Sequence, residues 1–246
     1  MLQQTQAPRV EPVFVAFLER FPRPSALASA TRAEALRAWA GLGYNRRAVA
    51  LHAAALAIAR DHGGRVPSQP EALRALPGVG PYTAGAVASI AFEAAVAALD
   101  TNARRIVARL ELGAEPDEVP ARDLEARATA WVDPDRPGDW NQALMDLGRE
   151  VCRPLPRCDA CPLGPWCRFR GAGRTGRPSA RRQPPFEGSR RQARGRIVEL
   201  LRAGPVPVRD LAARAGLPRD RAGEALDGLR GEGLVQVAHG LAALAD

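Results

Sequence analysis

The sequence predicts an all-α body followed by a small winged-helix-like module. Apolar residues recur at helical spacing in almost every segment, and no segment before residue 190 alternates like a strand. Gly and Pro cut these segments to ordinary helix lengths. With 46% hydrophobic content in 246 residues, the chain has enough apolar material for packed cores.

In order, Val13, Phe14, Phe17 and Leu18 give one apolar face between Val10 and Phe21, and Pro22 and Pro24 stop it. Thr31 with Glu34 makes a capping box for a helix carrying Leu36 and Trp39, ended by Gly41-Leu42-Gly43-Tyr44. A further helix spans about Arg46 to Arg60 and closes at Gly63-Gly64. Ser68 and Glu71 start a short helix, and a helix of small residues follows through Ala84 to about Ala98. Asn102 is placed to cap the helix ARRIVARLE, and helical patterns return in Ala121 to Val132 and Trp140 to Val151. From Arg168 to Arg196 the chain is rich in Arg, Gly, Pro and Ser and reads as a linker with little structure of its own. Beyond it, Arg196 to Arg202, Val208 to Ala215 and Arg219 to Gly231 read as three short helices and Leu234 to Ala243 as a hairpin. That is the pattern of a winged helix-turn-helix.

The stretch from Leu76 to Asn102 organises the rest. Gly78 and Gly80 let Pro77-Gly78-Val79-Gly80 turn tightly, and Pro81 suits the first turn of the next helix, whose positive end can hold a phosphate. The plain alternative is a helix corner with glycines for packing. Asp100 follows one helix later, just before a helix start, where an acid is more often a cap than a catalyst.

All 35 basic residues are arginine, so no side-chain amine is available for Schiff-base chemistry. A net charge of +8 favours a polyanionic partner such as nucleic acid. The four cysteines, Cys152, Cys158, Cys161 and Cys167, fall in the pattern C-x5-C-x2-C-x5-C, which indicates a metal site and leaves zinc and a four-iron cluster both open. Walker, dinucleotide-binding, nucleophile-elbow and zinc-protease motifs are missing. The three histidines, His52, His62 and His239, are scattered. No apolar run is long enough for a membrane span and no signal peptide is evident, so a cytoplasmic protein without membrane contact is expected.

The segments MLQQTQ, GLGYNRRAVALH, ALPGVGPYTAGAVASIAF, ALDTNARRIVARL and NQALMDLG, followed by the four-cysteine loop, resemble in this order the helix-hairpin-helix DNA glycosylases. Within them the chain is most similar to the A/G-specific adenine DNA glycosylase (MutY) family, from Met1 to about Phe169. The resemblance implies a six-helix barrel with a helix-hairpin-helix over residues 1–101 and a helical lobe with a [4Fe-4S] cluster over 102–170, zinc being the alternative metal. A linker over 171–190 and the winged-helix-like module over 191–246 complete the expected division. It implies a monofunctional glycosylase, a monomer acting near the bacterial nucleoid on double-stranded DNA, removing adenine mispaired with 8-oxoguanine or guanine.

Carried over by position, Gly78, Val79 and Gly80 become the hairpin on the DNA backbone, and Asn102 a further DNA contact. Gln4, Leu42 and Tyr44 become wedges or contacts at the opened pair, and Thr5 a contact near the damaged partner base. Leu2, Tyr82 and Gln142 line the base pocket, and Asp100 is the catalytic aspartate that stabilises an oxocarbenium-like sugar. Tyr82 stands where the endonuclease III enzymes place their Schiff-base lysine, which implies hydrolysis without efficient strand cleavage.

The family's proton-donating glutamate precedes the motif with which this sequence begins, so the sequence is expected to start inside the domain. The first cysteine spacing is one residue shorter than the family's, and the tail lacks the signature of the nucleotide-hydrolase-like domain of many members. Two other readings stay open: an endonuclease III-like glycosylase acting on oxidised pyrimidines, and a DNA-binding form with impaired chemistry.

Overall fold

The computed structural model describes residues 1–178 and 184–246. In chain order the first helices are α1 (Ala7–Arg20), α2 (Pro24–Ala28), α3 (Arg32–Ala38), α4 (Arg46–Asp61), α5 (Pro70–Arg74) and α6 (Pro81–Phe92). Then come α7 (Thr101–Leu112), α8 (Ala121–Trp131), α9 (Pro137–Glu150) and the one-turn α10 (Arg168–Gly171). The C-terminal part holds α11 (Arg190–Arg202), β1 (Val206–Pro207), α12 (Val208–Ala215), α13 (Arg219–Gly231), β2 (Val235–Ala238) and β3 (Leu241–Leu244). Among the described residues no helix is long and apolar enough to cross a membrane.

Two compact units result, one formed by residues 1–66, 76–78 and 183–246, the other by 67–75 and 79–182.

In the first unit, α1 presents Val10 and Phe17 to the core, where Phe17 meets Phe21 and Trp39 edge to face at 5.0 and 6.3 Å. The capping box of α3 forms as expected: Glu34 N donates to Thr31 Oγ1 at 3.1 Å, and Thr31 N donates to Glu34 Oε2 at 2.9 Å. The C-terminal elements make a small antiparallel sheet in the order β1-β3-β2, with Val206 opposite Ala242 and Val235 opposite Leu244. The expected hairpin is β2 and β3, and β1 is an addition. Ile197, Leu201, Leu229 and Leu244 lie in the same core as Val10, Leu36, Trp39 and Leu42.

In the second unit, Ile106, Val107 and Ala108 of α7 pack against Leu124 and Ala128 of α8 and Leu144 of α9. Three expectations change here. The short helix begins at Pro70 with Gln69 as its extended N-terminal flank, so Ser68 caps nothing and proline fixes the start instead. The small-residue helix stops at Phe92, because Glu93 turns left-handed (φ 55°) and Ala94 N–H closes on Ala88 O at 3.0 Å. The cap of α7 is Asp100 and not Asn102. Part of the expected linker is also tied down: Arg174 bonds both carboxylate oxygens of Glu118 at 2.8 and 2.9 Å, and Arg177 reaches Asp117 at 3.1 Å. Residues 179–183 of that linker lie outside the described residues.

Candidate active site

In the first unit, the N-terminal segment and the loop between α3 and α4 meet on Arg47. Its guanidinium donates to Met1 O and Thr5 Oγ1 at 2.8 and 2.9 Å and to Gln3 O, and it lies 5.4 Å from the ring centres of both Trp39 and Tyr44. Burial is the chief influence lowering its pKa. Gln4 (φ 56°) and Tyr44 (φ 46°) both take the left-handed conformation that non-glycine residues avoid, one in each segment. Gln4 and Tyr44 are exposed and Leu2 is 64% exposed, whereas Leu42 is 2% exposed and anchors its loop in the core. Gly78 is left-handed (φ 75°), and a Cβ there would lie 2.5 Å from Ala50 Cβ, so only glycine lets the turn pass α4.

In the second unit, Gly80 is the extended residue before α6. It provides no capping side chain, and the first turn carries no acid. Val79 is half-buried and Gly80 exposed.

Asp100 sits at the start of α7. Ala103 N–H donates to its Oδ1 at 2.7 Å and Asn102 Nδ2 donates to its Oδ2 at 3.1 Å. Arg105 continues the chain of bonds, donating to Asn102 Oδ1 and Gly148 O, both at 2.8 Å, and to Cys152 O at 2.7 Å. Burial above all lowers the pKa of Arg105. Gly148 is required here, since a Cβ would come within 2.6 Å of Asn102 Cβ. Tyr82 donates to Met145 Sδ at 3.6 Å, and its phenol is held protonated, first by burial and then by the charge of Asp100. Gln142 is exposed on α9.

The approach to Asp100 is shaped by Asn141, 1% exposed on α9. Its Oδ1 accepts Ala98 N–H at 2.7 Å, and its Nδ2 donates to Val96 O and Pro137 O, both at 2.9 Å. The extended chain after α6 is thereby held as though paired with a strand.

All four cysteines line one small cavity with Arg109, Val151, Gly164 and Phe169. Among the described residues, no group of three or more His, Cys, Asp or Glu is placed to hold a metal ion. Four thiols on one small cavity are a donor set that suits either a zinc ion or a four-iron cluster. Arg109, 2% exposed, pairs with Glu115 at 2.8 Å, donates to Arg153 O at 2.7 Å, lies 3.8 Å from Cys152 Sγ and stacks on Phe169 at 4.8 Å. Burial opposes its charge, but Glu115 and the Cys152 sulfur outweigh this and raise its pKa. Burial pushes the Cys152 thiol up, with Arg109 acting against it.

Residues 1–133 match the family model described as HhH-GPD superfamily base excision DNA repair protein. A protein named adenine DNA glycosylase from Mycolicibacterium smegmatis is 45% identical over all of this chain and 85% of its own length. This chain belongs to the adenine DNA glycosylase family. A solved thermostable thymine-DNA glycosylase is similar with a TM-score of 0.64 at 28% identity, over 70% of this chain and 80% of that one. An endonuclease III solved as a non-covalent DNA complex shares the fold, with a TM-score of 0.60 at 24% identity over 70% of this chain and 80% of its own.

In this adenine glycosylase family member, Asp100, Tyr82 and Asn102, which stand in the motifs, lie together in the structure. Arg47, Arg105, Arg109 and Asn141 are not singled out by any motif. The available signal was a polar residue in a buried helical register: Asn141 shares the buried stripe of α9 with Leu144 and Gly148, and Arg105 and Arg109 share that of α7 with Ile106.

Proposed function

We propose that this chain hydrolyses the N-glycosidic bond of adenine mispaired with 8-oxoguanine or guanine in double-stranded DNA, without strand cleavage. The arrangement that carries this reading is Asp100, held by Ala103 N–H and Asn102 and faced by a protonated Tyr82. As the bond between adenine and the sugar breaks, positive charge develops on the sugar, and a fixed carboxylate stabilises it before water adds. The N–H and amide donors aim the carboxylate; they leave it nothing to reorganise during the reaction. Tyr82 has no amine, and the chain has no lysine, so the sugar is not captured as an imine. In the first unit, exposed Gln4 and Tyr44 are the groups that would fill the gap left by an extruded base, and Thr5 and Leu2 would contact the opened pair; in the second, exposed Gln142 would meet the base. Gly78, Val79 and Gly80, with the uncapped end of α6, would take the DNA phosphates.

Cys152, Cys158, Cys161 and Cys167 would hold a [4Fe-4S] cluster, whose role there would be to fasten the loop after α9. The protein would work as a monomer in the bacterial cytoplasm at the nucleoid. The test is single-turnover release of adenine from a duplex with adenine opposite 8-oxoguanine. Asp100→Asn, which keeps a capping oxygen, should lower the rate about 10²- to 10³-fold with little loss of stability. Release of oxidised pyrimidines instead of adenine, or a rate untouched by the substitution, would overturn the reading.

A further inference from the structure

Arg202 ends α11 with a side chain only 11% exposed. Its Nε donates to Leu36 O at 3.2 Å, its Nη2 donates to Asn45 Oδ1 at 3.1 Å, and its Nη1 meets Glu199 one turn back. Arg37 returns a bond from its Nε to Arg202 O at 3.3 Å. Leu36 lies in α3 and Asn45 immediately precedes α4, so one guanidinium fastens both ends of the loop that carries Leu42 and Tyr44. In that loop Gly41 (φ 81°) and Gly43 (φ 68°) take the left-handed conformation freely, whereas Tyr44 (φ 46°) pays the cost of a side chain there. Asn45 would ordinarily cap α4 with its side chain, but it makes no such bond and faces Arg202 instead. Glu232, at the end of α13, adds a second fastening between Arg194 and Arg46, the residue after Asn45.

We propose that the C-terminal module is a positioning device for the DNA-contacting loop at residues 41–45, with Arg202 as its clamp. The use of that loop rests on the glycosylase reading above. The clamp itself does not, because it is a property of the free protein. A forked guanidinium is needed, since two acceptors must be met in fixed directions, and a lysine ammonium offers no such fork.

The experiment compares the full chain with its Arg202→Lys, Asn45→Ala and double variants, with Arg209→Ala as a control that removes an exposed charge from the same module. In the absence of DNA, amide hydrogen exchange at residues 41–45 should become about ten- to a hundredfold faster in both single variants. The double variant should add little, because both changes cut one link. Affinity for the mispaired duplex should weaken by a similar factor as the competent loop shape becomes a minor state. Arg209→Ala should leave both readouts unchanged. Unaltered exchange in folded Arg202→Lys and Asn45→Ala, additive effects in the double variant, or a loosened loop with unchanged DNA affinity would each overturn the proposal. If the parent chain neither binds the duplex nor releases adenine, the glycosylase reading falls, and the exchange measurement still decides the clamp.

Discussion

Asn141 makes one amide do the work of a neighbouring strand. Replacing it by leucine preserves the size of the side chain but strands Ala98 N–H in a buried site and Val96 O in a partly buried one, where an unmet buried group costs about 1–3 kcal/mol. A loss of about 2–4 kcal/mol is therefore expected in urea unfolding of Asn141→Leu. Because the same segment leads into Asp100, adenine release should fall as well. Gly148→Ala acts on the Asp100 turn more directly: its new Cβ would sit 2.6 Å from Asn102 Cβ and push the residue that bonds Asp100. The expected result is a rate lowered at least about tenfold with a stability cost of about 1–3 kcal/mol. An unchanged rate in a destabilised Gly148→Ala would show that the Asp100 turn tolerates the shift. Asp100 and Tyr82 were legible because they stand inside contiguous motifs. Asn141, Arg105 and Arg109 were not, because their partners are mostly backbone carbonyls and amides distant in the chain, and such partners have no residue type to recognise.

Helices were legible where an apolar face repeats over several turns, as in α4 and α7, and their ends were legible where a side chain does the capping, as at Thr31 and Glu34. The end of α6 was not, since glutamate at the left-handed stop position carries no signal there. Composition likewise misled at the start of the expected linker, where arginines that look like a solvated tether are paired. Glu118 is held down at about 2, first by its hydrogen bonds from Arg174 and next by the N–H of Glu115. For a carboxylate with a depressed folded pKa, the tether is fully present above the usual value of 4.5 and is lost as the pH falls toward 2. The chain around residues 174–177 should accordingly stay in place at pH 5 and loosen only in strong acid. Carboxyl NMR of Glu118 tests this directly, and titration near 4.5 would show that the tether does not form. Glu118→Gln should free the segment at neutral pH, visible as faster cleavage beside Arg174.

At the scale of the whole molecule, the helical pattern anticipated an all-α body and located a small appended module, the net charge favoured a polyanionic partner, and only the resemblance to the glycosylases implied a DNA enzyme. The pattern could not reveal that the module shares a core with the first helices, since a hydrophobic face does not name its partner. Both α11 and β3 pack on α3, and Arg32 donates to Gly233 O at 3.0 Å. Leu36 (0% exposed), Trp39 (2%) and Leu42 (2%) are buried in a core completed by Ile197, Leu201 and Leu244. A chain ending at residue 178 would leave several such side chains in water, at about 1.5–3 kcal/mol each. In a protein of this size about 1 kcal/mol corresponds to a shift of 2–4 °C. The truncated chain should melt at least about 10 °C lower in the first unit and bind a hydrophobic dye, while α7, α8 and α9 keep their own core. A tethered, independent module makes the opposite prediction, an unchanged melting temperature. Calorimetry of the two chains under identical conditions distinguishes them, and an unchanged temperature would also remove the mechanical basis for a clamp acting through Arg202.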